Sequence, residues 1–131
     1  MIEISAMFPV LVAGNLDQLK AFYATHFGFE AVFFDPEFYL HLLHPQSGVQ
    51  LGFLLPEHAS QPSFLHARAV ADGMVISFEV SDAQAAYNAA QSANLDIAMA
   101  FKEEVWGQHH FMVRDPQGFV IDVVQHIEQS E

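Results

Sequence analysis

The chain of 131 residues contains no cysteine, and this absence excludes both disulfide bonds and thiol catalysis. Basic residues are also scarce, because four Lys and Arg face sixteen Asp and Glu, which gives a formal net charge of −12. Nucleic-acid binding requires basic side chains clustered along the phosphates, so a nucleic-acid partner is disfavoured. The electrostatic field of such a chain instead favours cationic ligands.

Long apolar runs are missing as well. None approaches the roughly 20 residues that cross a bilayer, so no membrane partner is expected. The first seven residues lack the basic and apolar stretches of a secretory leader. Together with the missing cysteines, these features predict a cytoplasmic protein.

Apolar surface for a core, in contrast, is plentiful. Hydrophobic residues make up 52% of the sequence, and charged residues only 15%. Burial of this surface offsets the entropy that is lost on ordering, which excludes a disordered chain. The length suits a single domain over residues 1–131.

The two halves of the chain have the same predicted order of elements: a strand, a helix and three further strands. Short apolar runs between turn residues indicate the strands, and apolar residues at helical spacing indicate the helices. The first half is predicted to contain a strand over 6–13, a helix over 16–26 and strands over 29–34, 38–43 and 49–55. The second half is predicted to contain a strand over 74–80, a helix over 82–93 and strands over 97–103, 110–114 and 119–125.

Local signals mark the ends of these elements. Asn15, three residues before Gln18, is predicted to cap the first helix, and a capping-box pattern at Ser81 precedes the second helix. Gly28 stands where the glycine that ends a helix belongs. Pro9 has no N–H to donate to a neighbouring strand, so its strand is predicted to lie at an edge or a seam of the sheet.

Corresponding positions of the two halves are separated by a nearly constant interval. The helix starts, Asn15 and Asp82, are 67 positions apart, and the turn glycines Gly48 and Gly118 are 70 apart. The chain therefore divides into module one (1–55), a linker (56–73) and module two (74–131). An interval near half the chain indicates duplication of one βαβββ unit rather than a solenoid, which needs about three or more units. A ferredoxin-like βαββαβ fold has too few strands after each helix.

Short motifs also stand in a distinctive order. The strand Phe8-Pro-Val-Leu-Val is followed by Phe22-Tyr23 and then by Phe27-Gly-Phe29, and the segment from Trp106 to Gly118 ends in Asp-Pro-Gln-Gly. Their order resembles the glyoxalase/bleomycin-resistance/dioxygenase superfamily, known also as the vicinal oxygen chelate superfamily. The resemblance implies an α+β fold in which two βαβββ modules form a cupped, incomplete barrel, and it identifies no single activity.

In the metalloenzymes of that superfamily, the first and last strands of each module supply His, Glu or Gln ligands to a divalent ion. The intervals of 67 and 70 place these four positions on Phe8, Gly52, Val75 and Asp122. Three of them have no donor, and one carboxylate is short of the three ligands that a catalytic site normally uses. The resemblance therefore favours the metal-free, bleomycin-resistance-like branch, with no cofactor.

A divalent metal stays as the alternative. A shift of two residues along the strands would bring Gln50 to a ligand position, and a shift in the fifth strand would bring Ser77 or Glu79. Gln50, Glu79 and Asp122 would nevertheless form an unusual ligand set.

Four further residues are candidates for a pocket. His41 and His110 lie on strands, whereas the other six histidines are interpreted as surface or core residues. Asp122 stands among Val and Ile, and a buried carboxylate needs a partner such as His110, a ligand cation or a raised pKa. Trp106 precedes Gly107 in a predicted loop, and the bleomycin-resistance branch has a similar Trp-Gly loop near its ligand. A core anchor is the alternative for Trp106.

The favoured function is binding of a small organic molecule, flat or cationic, in an apolar and acidic cup. The predicted ligand-binding residues are Trp106, Asp122, His110, His41, Glu79, Phe8 and Gln50. The resemblance implies a homodimer, in agreement with an edge strand at Pro9. Two alternatives remain open: a metal-dependent lyase, isomerase or dioxygenase, and a metal-free enzyme with Asp122 or Glu79 as its base.

Overall fold

The duplicated sequence pattern corresponds to two successive βαβββ units. The structure, a computed structural model, describes residues 1–128, and the chain divides into its two units after Ala69. The elements of the first unit are β1 (Val10–Val12), α1 (Leu16–Phe27), β2 (Glu30–Asp35), β3 (Tyr39–Leu43) and β4 (Gln50–Leu54). Those of the second unit are β5 (Ile76–Glu79), α2 (Ala83–Ser92), β6 (Asp96–Glu104), β7 (Gln108–Arg114) and β8 (Val120–His126). The predicted α+β fold of two βαβββ modules is confirmed.

The two sheets have the same strand order. The first sheet is arranged β1-β4-β3-β2 and the second β5-β8-β7-β6. In each sheet the first strand pairs in parallel with the last, and the other neighbours are antiparallel. The strand that follows Pro9 is therefore at an edge, as predicted, and the carbonyl of Pro9 accepts a hydrogen bond from the N–H of Gly52 at 2.9 Å.

Each helix covers one face of its own sheet. In the first unit the fully buried ring of Tyr23 lies 5.6 Å from that of Phe53. In the second unit Tyr87 packs against Phe111, with ring centroids 5.1 Å apart. Since side chains alternate between the faces of a strand, every second residue points away from the helix.

We refer to this other side as the helix-free face. On the first sheet it carries Val10, Phe33, Tyr39, His41, Gln50 and Gly52. On the second sheet it carries Ser77, Glu79, Lys102, Glu104, Gln108, His110, Met112, Asp122, Val124 and His126.

The predicted caps are partly wrong. Asn15 has a left-handed backbone (φ 54°), whereas a capping residue is typically extended, and its side chain makes no capping hydrogen bond. Asp82, rather than Ser81, caps α2, and its Oδ1 accepts from the N–H of Ala85 at 3.0 Å. Gly28 ends α1 in the left-handed conformation (φ 73°), as predicted.

The segment after β4 packs onto the first unit. It contains a short 3-10 helix, Ser63–Leu65, and the N–H of Ala69 bonds to the carbonyl of Val12 at 2.9 Å. Residues 56–69 of the predicted linker thus belong to the first unit. Among residues 1–128, no helix is long and apolar enough to cross a membrane.

The different caps lead to a stability prediction. We expect Asp82→Ala to lower the free energy of unfolding by about 1 kcal/mol, because it removes the side-chain acceptor of α2. Asn15→Gly is the matched control, since no capping bond is lost and glycine adopts a positive φ easily. Urea denaturation followed by circular dichroism measures both variants. Equal losses in the two would contradict this account of the caps.

Candidate functional site

Three polar side chains form a hydrogen-bonded relay across β3 and β4. The Tyr39 hydroxyl lies 2.7 Å from His41 Nδ1, and His41 Nε2 lies 2.7 Å from Gln50 Oε1. Tyr39 and His41 share a face because they are two residues apart on one strand. Gln50 shares that face because it pairs with Leu43, two residues beyond His41. We name this group the Tyr39–His41–Gln50 relay.

Aromatic rings surround the relay. Phe8 stands edge-on to His41, with ring centroids 4.6 Å apart, and Phe33 lies 6.3 Å from Tyr39. Phe8 remains 43% exposed and Phe33 50% exposed. The structure therefore brings together three predicted site residues, Phe8, His41 and Gln50, and adds Tyr39. Tyr39 falls within the predicted strand over 38–43, but the sequence alone does not determine to which face of the sheet its ring points.

Gly52 lies beneath the Tyr39 ring. A Cβ added at position 52 would overlap the Tyr39 hydroxyl, and it would stand 2.9 Å from Tyr39 Cζ and 3.1 Å from Val10 Cγ2. These separations are shorter than ordinary van der Waals contacts. Position 52 must therefore be glycine as long as Tyr39 keeps this conformation.

The second sheet carries an acidic cluster centred on a histidine. His110 Nδ1 lies 2.8 Å from Asp122 Oδ1, and His110 Nε2 lies 2.9 Å from Glu104 Oε2. His110 is 6% exposed, and the side chains of Glu104 and Asp122 are 9% and 14% exposed. The expected partnership of Asp122 with His110 is confirmed. We name the group the Glu104–His110–Asp122 cluster.

Glu104 is a site residue that the sequence pattern does not predict. The pattern ends the strand at 103, but β6 continues to Glu104 and pairs it with Gln108. That pairing puts Glu104 on the same face as His110. A further neighbour, Lys102 Nζ, lies 3.3 Å from Glu104 Oε1 and is more exposed. The sequence contains one signal for this arrangement: Lys102 and Glu104 are two residues apart, so they share a face if the strand continues to 104.

Competing effects set the protonation of this cluster. Burial by itself lowers the pKa of His110, but the hydrogen bonds and charges of Glu104 and Asp122 outweigh it, so this pKa is raised above 6.5. The hydrogen bond from His110, aided by Lys102, lowers the pKa of Glu104 below 4.5 despite desolvation. The cluster is thus stabilised as an imidazolium between carboxylates.

A second polar chain runs along the same face. The indole N–H of Trp106 donates to Gln108 Oε1 at 3.0 Å, Gln108 Nε2 lies 3.5 Å from His126 Nδ1, and His126 Nε2 lies 3.0 Å from Glu79 Oε1. Trp106 is 62% exposed, so the alternative of a core anchor is wrong. Of the predicted residues, Glu79, Trp106, His110 and Asp122 therefore lie in the second unit.

A shallow, open cavity of about 560 Å³ lies on the second unit. Its apolar lining includes Met74, Val75, Met112 and Val120. Met112 is the cross-strand partner of Asp122, so this apolar surface begins beside the carboxylate.

The metal-ligand positions implied by the resemblance do not suit a metal ion. Phe8, Gly52 and Val75 have no side-chain donor, and the Tyr39 hydroxyl fills the space above Gly52. Asp122 Oδ1 accepts a hydrogen bond from His110. Among residues 1–128, no group of three or more His, Asp or Glu side chains is arranged to hold a metal ion. In the cluster, each carboxylate faces a nitrogen of His110 rather than a shared centre.

Comparison with known proteins agrees with this architecture. The family model of the Glyoxalase/Bleomycin resistance protein/Dioxygenase superfamily matches residues 6–123. The chain belongs to this superfamily. A search of the curated proteins finds no match to the sequence.

Solved structures of similar fold include proteins that carry different names, one of them the name of a lyase. TioX from Micromonospora sp. ML1 is 19% identical with a TM-score of 0.74, covering 94% of this chain and 99% of its own. A superfamily member from Sphaerobacter thermophilus is 20% identical with a TM-score of 0.75, covering 96% and 100%. Lactoylglutathione lyase from Agrobacterium tumefaciens is 21% identical with a TM-score of 0.73, covering 92% of each chain. At such identities the likeness is one of fold.

The cluster leads to a prediction of pH-dependent stability. A raised pKa of His110 stabilises the fold below pH 6.5, and this contribution is lost as pH rises through the folded value. A lowered pKa of Glu104 stabilises the fold above pH 4.5, and this contribution is lost as pH falls through the folded value. The cluster should therefore contribute most between these two values.

We expect His110→Gln to lower the unfolding free energy most in that window, because the two carboxylates lose the cation that lies between them. The matched control is His109→Gln, since His109 faces the opposite side and lies 3.9 Å from exposed Glu103. Urea denaturation across the pH range measures both. A constant difference between the wild type and His110→Gln at all pH values would contradict the prediction.

Proposed function

We propose that this chain binds a small organic molecule on its helix-free faces, as a metal-free member of the superfamily. The observation that carries the proposal is the exposed aromatic surface of Phe8 and Phe33 around the Tyr39–His41–Gln50 relay. A few positioned polar groups among apolar and aromatic walls are typical of ligand pockets. Exposed rings that flank such groups provide stacking area for a flat ligand.

The second unit supports a role for an exposed indole. Trp106 presents a large aromatic surface at the turn between β6 and β7, and the bond to Gln108 restricts its ring. An indole attracts cations as well as flat rings, by about 0.5–2 kcal/mol. We therefore propose Trp106 as a ligand contact.

Charge favours a cationic or neutral ligand over an anionic one. With His110 charged, Glu104 and Asp122 leave that cluster with one excess negative charge, which nearby Lys102 offsets. Glu79 adds a carboxylate that is 74% exposed and pairs with His126. The chain as a whole has a formal net charge of −12, so its field attracts cations from a distance.

A second candidate function is proton transfer by a metal-free enzyme. The Glu104–His110–Asp122 cluster favours it, because an imidazole between two carboxylates is an arrangement that can relay protons. In this alternative Asp122 would be the base, since its side chain is more exposed than those of its partners. The metal-dependent alternative has less support, because the donors of the implied site do not fit.

The proposal is tested by a thermal-shift screen of flat cationic, neutral and anionic compounds, run with EDTA and with added divalent ions. We expect cationic and neutral compounds to raise the melting temperature. For each compound, the rise should be the same with EDTA as with added divalent ions. Trp106→Ala should then weaken a flat hit about ten-fold, and Asp122→Asn should weaken mainly the cationic hits. Phe64→Ala, which removes an exposed ring from the 3-10 helix, is the control.

Calorimetry on the strongest hit decides the outcome. Binding that requires a divalent ion would refute the metal-free proposal. If neither Trp106→Ala nor Asp122→Asn changes affinity by more than about two-fold, these residues are not the binding site.

We also propose that the chain forms a homodimer. Apolar side chains are exposed beside and on the edge strand β1, where Met7 is 78% and Val10 is 43% exposed. Exposed apolar patches commonly mark interfaces. Light scattering should give twice the mass of one chain at tens of micromolar, roughly, and a monomer at that concentration would contradict the proposal. The cytoplasmic location stays a prediction.

A further inference from the structure

The hydrogen-bond capacity of the Tyr39–His41–Gln50 relay determines what the first sheet can recognise. We assign the proton of His41 to Nε2, because the Gln50 amide is placed with its carbonyl oxygen, which only accepts, toward that nitrogen. In the neutral ring Nδ1 is then an acceptor, and the Tyr39 hydroxyl must donate to it. The Tyr39 proton is thus used in the hydrogen bond to His41 Nδ1, whereas the Tyr39 oxygen can still accept a hydrogen bond.

The position of this oxygen is fixed by packing. The Tyr39 ring lies against the bare backbone of Gly52, in the space that a side chain at 52 would otherwise occupy. Phe33 borders the ring at 6.3 Å, and Tyr39 itself is partly buried. Burial raises the pKa of the Tyr39 hydroxyl above 10.0, so this group stays neutral at physiological pH.

We propose that Tyr39 is a specificity residue whose oxygen selects flat ligands with an O–H or N–H donor on their edge. The inference rests on the proposed function and narrows it to donor-bearing ring compounds such as phenols, aromatic amines and ring amides. Phe8 and Phe33 contact the ring of the ligand, and Tyr39 accepts from its edge. His41 and Gln50 act as positioning residues that keep the Tyr39 proton turned away from the ligand.

The test compares two probes on the full chain: 2-naphthol, which has a donor, and 2-methoxynaphthalene, which has none. The wild type should bind 2-naphthol about three- to ten-fold more tightly, as expected for one hydrogen bond. Tyr39→Phe keeps the ring and removes the oxygen. It should bring this ratio close to one by weakening 2-naphthol alone. Tyr87→Phe is the matched control, because it removes a hydroxyl from α2 in the other unit.

A second variant tests the relay itself. Gln50→Leu removes the acceptor that fixes the proton on His41 Nε2, whereas Gln50→Glu retains an acceptor there. We expect Gln50→Leu to reduce the discrimination between the probes and Gln50→Glu to retain it. Nitrogen-15 NMR of His41 should report the Nε2–H form in the wild type and a mixture of tautomers in Gln50→Leu.

The outcomes separate this inference from the broader proposal. If Tyr39→Phe leaves the probe ratio unchanged, or weakens both probes equally, the inference is overturned and small-molecule binding stands. A wild-type His41 protonated on Nδ1 would also overturn it. If the wild type binds neither probe, the aromatic surface of the first sheet is not a binding site for ring compounds, and both proposals fail there.

Discussion

One helix for each four-stranded sheet is the constraint on which the rest of this structure depends. A helix covers a single face, so the module buries Leu40 and Phe53 beneath α1 and leaves the alternate residues of β3 and β4 on the other side. Polar groups placed on that side must satisfy one another where water is scarce. These polar groups do satisfy one another: among residues 1–128, every buried side-chain nitrogen or oxygen has a hydrogen-bond partner.

The two modules carry different side chains at equivalent positions beside their last strands. Leu54 faces Tyr39 in the first sheet, and Val124, 70 positions later, faces His110 in the second. By the same interval Gly52 corresponds to Asp122. The first module therefore combines a long phenol with a glycine, whereas the second combines a shorter imidazole with a carboxylate. The side chains beside the last strand are therefore neutral in the first module and charged in the second.

The sequence was sufficient to predict the elements, because alternation and helical spacing are local properties of the chain. It was less informative where a neighbouring strand decides the outcome. The extension of β6 to Glu104 depends on pairing with Gln108, and the face occupied by Tyr39 depends on the register with β4. The conformation of Asn15 depends on how the chain enters α1. The bond between His110 and Asp122 was predictable, since an acid flanked by Val and Ile needs a partner.

The contact between Tyr39 and Gly52 also limits how this chain could change by successive mutations. A carboxylate at position 52, where metalloenzyme relatives carry a ligand, would overlap the Tyr39 hydroxyl. Gly52→Glu therefore requires that Tyr39 leave its present position or be replaced by a smaller residue. Loss of Tyr39, in turn, removes the hydrogen-bond partner of His41 Nδ1. Sterics therefore place the loss of Tyr39 before the gain of an acid at position 52, so the intermediate lacks both the complete relay and that acid.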